Sequence, residues 1–164
     1  MYKIDKIDLE IVNLLMEDGR MSASEIARRL PGVTERMIRY RIDRLIEEKV
    51  IKVTAVVNPR ALGLTTNADV WLEVEADSIL SVAQKAAELK NVCYVAFSIG
   101  ENDVSIQVVG KSTEEVYRFV TDVVGKIPGV RKTTTSIVPE VLKDVHQWRI
   151  PFELVETDGP GENK

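Results

Sequence analysis

Ser22-Ala-Ser-Glu-Ile-Ala-Arg-Arg-Leu30, Pro31-Gly-Val33 and Thr34-Glu-Arg-Met-Ile-Arg-Tyr-Arg-Ile-Asp-Arg-Leu-Ile-Glu-Glu48 run on without a break, and their reading decides the fold of the first third of the chain. Ser22 and Glu25 have capping-box spacing, which predicts a short helix over residues 23–30 with Ile26, Ala27 and Leu30 inward. Pro31-Gly32 stops it. Thr34 then suits the N-cap of a longer helix reaching about residue 48. Ile38, Ile42 and Leu45 form the apolar stripe of that helix, with Met37 and Ile46 beside it. Glu35, Arg36, Arg39, Tyr40 and Asp43 fall on other faces.

Working outward, residues 5–18 place Ile7, Ile11, Leu14 and Leu15 at spacings of three and four, a further amphipathic helix. Gly19 follows it, where a helix end favours positive φ. Three helices, with a tight turn between the second and third, predict a helix-turn-helix. A third helix carrying Arg, Arg and Tyr on its exposed N-terminal turns suits a DNA major groove, where arginine pairs with guanine edges and hydroxyls hold phosphates. The competing reading is a solvated face on which Glu and Arg pair.

The charge distribution is compatible with the groove and equally with a solvated surface of mixed charges. It is the short helix and tight turn before the third helix that favour DNA. The 164 residues carry a formal charge of −4, but residues 20–60 hold ten Lys/Arg against five Asp/Glu, about +5, and residues 61–164 hold ten against sixteen, about −6. Polyanion binding depends on the field at the contact surface, screened over roughly 8–10 Å, so a basic front tolerates an acidic rear.

From Asn67 onward the period changes to two: Val70, Leu72 and Val74 alternate with Trp71, Glu73 and Glu75. A helix is predicted over 78–90 with Ile79, Val82, Ala83, Ala86 and Leu89 inward. Strands over 92–99 and 104–109 flank the hairpin Gly100-Glu-Asn-Asp103. Ser112 and Glu115 repeat the capping-box spacing before a helix with Val116, Phe119, Val120, Val123 and Val124 inward. Pro128-Gly129 ends it, and 130–138 reads as the last strand. The order βαββαβ predicts a ferredoxin-like sheet with two helices on one face. Its open face and edges need cover, which a second copy supplies. The fold class is thus α+β: a winged helix-turn-helix over 1–51, a connecting strand and linker over 52–66, a ferredoxin-like domain over 67–143 and an extension over 144–164. In that extension His146, Trp148 and Phe152 are expected to pack on a neighbouring surface, and 157–164 to form a disordered polar tail.

The residues that carry a family resemblance are now in place. Residues 4–20, an acid-rich first turn with Ile/Leu periodicity ending in Asp18-Gly-Arg20, resemble the opening of the Lrp/AsnC (feast/famine) regulators. Ser24-Glu-Ile-Ala-Arg-Arg-Leu30 resembles their second helix, Ile38-Arg-Tyr-Arg-Ile-Asp-Arg-Leu45 with Val50-Ile51 their recognition helix and its exit, and Asn58-Pro-Arg-Ala-Leu-Gly63 the connector after the wing-like strand. Gly100-Glu-Asn-Asp103, Ile127-Pro-Gly-Val130 and Thr133-Thr-Thr-Ser-Ile-Val138 are similar to landmarks of their amino-acid-sensing domain. Two features depart: the turn Pro31-Gly-Val-Thr34 is one residue longer than usual, and Lys49 stands where glycine is commoner.

The resemblance implies a cytoplasmic transcription regulator that binds double-stranded DNA as a homodimer or higher homo-oligomer, with a small effector, commonly an amino acid, held between subunits. The DNA-binding residues it implies, with the exposed phase of the third helix, are Ser24, Thr34, Glu35, Arg36, Arg39, Tyr40 and Arg44. The effector-binding residues are Gly100, Asn102, Asp103, Thr133 and Thr135, which an ordinary hairpin and strand would also contain. No catalytic residue, metal or cofactor is expected. There is no phosphate loop, Cys/His metal spacing or nucleophile with a partner base. His146 lacks a second histidine, and Cys93, the only cysteine, reads as a small buried strand residue. No apolar run approaches the ~18–20 residues of a membrane span, and residues 1–8 are too charged for a signal peptide. Two rivals remain. A ligand sensor that does not bind DNA would lack Arg36, Arg39, Arg41 and Arg44 on the third helix. A sirohaem decarboxylase, which resembles the family in both domains, would carry His and Arg in the central strands, whereas residues 92–109 contain neither.

Overall fold

The computed structural model describes residues 2–100 and 102–155. These divide into a helical unit, which takes in residues up to 56 together with the chain from 143, and a sheet domain over 57–142.

In the helical unit, α1 (Lys6–Glu17), α2 (Ala23–Arg29) and α3 (Glu35–Glu47) enclose Ile11, Ile26, Ile38 and Leu45, all fully buried. The caps differ in detail from those the spacing predicts. Ser22 Oγ accepts from the Glu25 N–H, but Glu25 turns its carboxylate to Arg28 and Arg29 instead of closing the box. Reciprocal capping boxes form instead between Asp5 and Asp8 at the start of α1 and between Asp144 and Gln147 in the C-terminal segment. Gly19 does not take positive φ, because α1 ends on an extended Asp18. Positive φ falls instead on Gly32, in the turn before α3, and on Lys49 (φ 58°) after it, the position at which glycine is commoner.

Residues 52–58 form no strand, so the connecting strand read into 52–66 is reduced to Thr66. A strand needs a partner for its N–H and C=O groups, and residues 52–58 pair with no strand among the described residues. Val53, Val56 and Val57 stay exposed.

The sheet domain consists of β1 (Thr66–Val74), α4 (Ile79–Ala87), β2 (Val92–Phe97), β3 (Val104–Gly110), α5 (Thr113–Asp122) and β4 (Val130–Val138). The strand order is β2-β3-β1-β4, with every pair antiparallel. Alternation puts Ala68, Val70, Leu72 and Val74 of β1 on the inner face with Val104, Ile106 and Val108 of β3. Val82, Ala83 and Ala86 of α4 and Val116 and Val120 of α5 complete that core. Val123, predicted inward, is exposed, since α5 stops at Asp122 and a 3₁₀ turn buries Val124 instead. Ser112 accepts from the Glu115 N–H, while Glu115 accepts from the Lys111 N–H, so this box too is half-formed. Gly129 (φ 98°) is required where the turn meets α4: a Cβ there would sit 2.5 Å from Ser78 Cβ. Cys93, read as buried, is exposed. It lies just where the β2–β3 register shifts between Val92 and Tyr94.

Residues 143–155 belong to the helical unit. Ile150 packs against its core, Val155 is buried, and Arg149 Nη1 donates to Asn13 Oδ1 at 3.1 Å. His146, Trp148 and Phe152, expected to pack, are more than half exposed. The tail over 157–164 lies outside the described residues.

Candidate nucleic-acid interface

Helix α3 owes its two-sidedness to heptad-like spacing: Ile38 and Leu45 are fully buried, and Ile42 is half-buried beside them. Thr34 caps its N-terminus, accepting from the Met37 N–H at 3.3 Å. That hydroxyl's own hydrogen can still be donated outward, next to the positive end of the helix dipole. Glu35, Arg36, Arg39 and Tyr40 are all exposed, as sequence phase predicts. On α2, exposed Ser24 shares a hydrogen with Ser22, Oγ to Oγ 3.0 Å. The candidate DNA residues other than Arg44 thus share the exposed N-terminal half of α2 and of α3.

The solvated-pair reading holds for one of them. Arg39 Nη2 meets Glu35 Oε1 at 2.5 Å, four residues back. Both side chains are well exposed, so the pair is worth well under about 1 kcal/mol and exchanges readily for a phosphate or a base edge. Arg36 has no such partner among the described residues.

The other two arginines of α3 are differently placed. Arg41 stands three residues after Ile38 and four before Leu45, on the inner flank. Its Nη1 donates to Asp5 Oδ2 and Asp8 Oδ1, each at 2.7 Å. Asp8 also accepts from the Tyr2 hydroxyl at 2.9 Å and from the Asp5 N–H at 3.3 Å. Burial pushes Arg41 down, but hydrogen bonds to Asp8 and Asp5 outweigh it and leave the guanidinium above its ordinary value. Burial likewise pushes Asp5 up, and the Asp8 N–H and the Arg41 guanidinium overcome it, holding Asp5 below the usual carboxylate range. Burial and the hydrogen bond to Asp8 push the Tyr2 hydroxyl up. Arg44 lies over the Tyr2 ring, 5.1 Å from its centroid. Arg41 and Arg44 line a cleft of about 560 Å³ with Tyr2, Lys3, Met37 and Tyr40.

Sequence reading missed Tyr2, Asp5 and Asp8, and counted Arg41 among the free basic groups. Asp5-x-x-Asp8 ahead of the Ile/Leu repeat was the available signal for the cap; nothing in the sequence pointed to the bond with Arg41, 33 residues further on.

In the sheet domain the candidate effector residues reach one end of the sheet but not one another. Asp103 Oδ2 accepts from the Val74 N–H at 2.8 Å, and Asp103 N–H donates to Leu72. Ser98 Oγ donates to the Asn102 carbonyl at 2.7 Å. Much of the hairpin's polarity thus closes the sheet's own end, while Gly100 is exposed. Leu72 pairs with Thr133 on one side and Val104 on the other, and Val70 pairs with Thr135 and Ile106. Thr133 and Asp103 therefore stand about two strand spacings, roughly 9–10 Å, apart across β1.

The model of the AsnC-type helix-turn-helix domain matches residues 4–46, and that of the Lrp/AsnC ligand binding domain matches residues 67–148. An uncharacterized HTH-type transcriptional regulator of Pyrococcus furiosus is 39% identical over 141 residues, 85% of this chain and 95% of that protein. The HTH-type transcriptional regulator FL11 of the same organism is 38% identical over 142 residues, 86% of this chain and 93% of that protein. Escherichia coli AsnC has a similar fold, with a TM-score of 0.80 at 22% identity, covering 88% of this chain and 99% of that one. A Neisseria meningitidis transcriptional regulator solved in complex with L-Met has a TM-score of 0.79 at 21% identity, covering 87% and 94%.

Proposed function

The chain belongs to the Lrp/AsnC family of HTH-type transcriptional regulators, and from that premise we propose how it works: α3 reads double-stranded DNA, and the sheet domain takes a small effector. One observation carries the DNA half. Arg36, Arg39 and Tyr40 are exposed on the helix whose opposite face, Ile38 and Leu45, is fully buried. Arg36, Arg39 and Tyr40 address base edges, while Ser24, Thr34 and the N-terminus of α3 hold phosphates. Glu35 holds Arg39 until DNA takes it. Arg44 keeps its place in this reading as a flank contact steadied by Tyr2. A homodimer sets two such helices in successive major grooves.

An amino acid is the effector class that the resemblance and the methionine-bound neighbour favour. In this reading it sits between subunits, with Gly100, Asn102 and Asp103 from one protomer and Thr133 and Thr135 from its partner. Within one protomer the Thr133 and Asp103 backbones stand roughly 9–10 Å apart, and in this reading a second copy completes the site. The second copy also covers the open sheet face, where Tyr94 is exposed. The setting proposed is the cytoplasm, where DNA and free amino acids meet the chain.

The test is an electrophoretic shift with the full chain on a duplex it selects from a random-sequence pool, repeated across salt and with each amino acid added. Binding should weaken steeply with salt as phosphate contacts release counterions. Arg39→Ala should lose about 1–3 kcal/mol on the selected duplex at unchanged oligomer mass. A flat salt response, or full affinity in Arg39→Ala, defeats the DNA assignment. No response to any amino acid defeats the effector assignment alone.

A further inference from the structure

Asp8 is the single charged side chain buried among the described residues. A carboxylate sealed from water is unfavourable unless strongly hydrogen-bonded, so its neighbours explain why it is kept. The Asp5 N–H closes the cap of α1, and the other two lead toward the DNA-reading helix. Oδ1 takes the Arg41 guanidinium at 2.7 Å, and Oδ2 takes the hydroxyl of Tyr2, whose ring lies 5.1 Å from the Arg44 guanidinium carbon.

Ile38 and Leu45 decide which face of α3 turns inward, but aliphatic contacts are non-directional and do not fix its fine roll. Hydrogen bonds weaken steeply with angle, so the Asp8–Arg41 bond does fix it. Even a small roll would draw the Arg41 guanidinium out of line with Asp8 and weaken their bond. The same roll would misdirect Arg36, Arg39 and Tyr40, on which base reading depends.

We infer that Asp8 is a positioning residue for DNA reading: through Arg41 it sets the roll of α3, and it keeps the Arg41 cation away from the DNA. This rests on the DNA half of the proposed function.

Electrostatics alone gives the opposite expectation, which makes the inference testable. Removing a negative charge from the DNA-facing unit should tighten binding to every duplex. Positioning predicts that Asp8→Asn weakens the selected duplex by roughly tenfold or more, the size of one lost bidentate base contact. Its affinity for an unselected duplex of equal length should hold or rise. The salt slope on unselected DNA should stay unchanged in Arg41→Gln, whereas loss of a phosphate contact would reduce it by about one. Affinities are read where circular dichroism shows each variant folded. Should Asp8→Asn not fold, Tyr2→Phe takes its place, deleting one bond to Asp8 while sparing the carboxylate, with a smaller loss of the same kind.

Equal or tighter binding of both duplexes by the folded Asp8→Asn variant, or by Tyr2→Phe in its stead, overturns the positioning role and leaves the regulator reading standing. A fall in the Arg41→Gln slope overturns it too, by placing Arg41 on the DNA. A wild-type chain that selects no duplex overturns the regulator reading and takes this inference with it.

Discussion

In the sheet domain the buried side chains are aliphatic throughout the described residues, whereas the helical unit buries a carboxylate beside its aliphatic core. The two solutions suit different tasks. A sheet with two helices on one face gets its geometry from backbone pairing, so its core has only to fill space. Three short helices lack any such ladder between them, and interlocking side chains alone must set their angles. A directional ionic bond supplies what aliphatic packing leaves loose.

The sharpest way to break that contrast is to remove the cation. Arg41→Leu should destabilise the helical unit by about 4 kcal/mol, because Asp8 would remain buried without its countercharge. Chemical denaturation measures it, and a loss under about 1 kcal/mol would mean that the carboxylate does not need Arg41. The matching change in the sheet domain, Leu72→Ala, should lose about 3 kcal/mol by leaving a cavity at a fully buried position. Its signature is different: it should not alter the acid sensitivity of the protein.

Lys49 gives a smaller effect of opposite sign. At φ 58° it holds a left-handed conformation that side chains disfavour, so Lys49→Gly should raise stability by up to about 1 kcal/mol. An unchanged or lower melting temperature would count against strain there.

Acid should produce the smallest change. The carboxyl of Asp5 titrates lower in the folded chain than in the unfolded one, so the unfolded chain takes up its proton first as pH falls. Its contribution is therefore complete above the ordinary carboxylate range, near pH 4, and fades below it. Asp5→Asn should flatten that part of the stability profile, and an identical profile in the variant would show that the pairing with Arg41 carries no proton linkage.

Element order was legible because both halves obey simple periods. The spacing of Ile38, Ile42 and Leu45 marks the inner face of α3, and the alternation of Val70, Leu72 and Val74 marks that of β1. Chain ends were read less well. Ser22 and Ser112 cap their helices, but Glu25 and Glu115 turn to Arg28, Arg29 and the Lys111 N–H, because several donors compete for one carboxylate and spacing does not rank them. Gly19 offered positive φ, yet the chain used Gly32 and Lys49.

By itself the sequence determined the two architectures, the exposed row on α3 and the basic front with its acidic rear, since periodicity and composition are local properties. Only the tertiary structure decided what the boundary side chains do. Arg41 looks like one more surface cation until α1 brings Asp5 and Asp8 to it, Asp103 looks like a turn residue until the Val74 N–H meets it, and Ile150 lies in a segment without periodicity that packs on the helical core. A periodic pattern reports which face is dry. The partner of a charged group at the edge of that face comes from a distant part of the chain, and folding alone brings the two together.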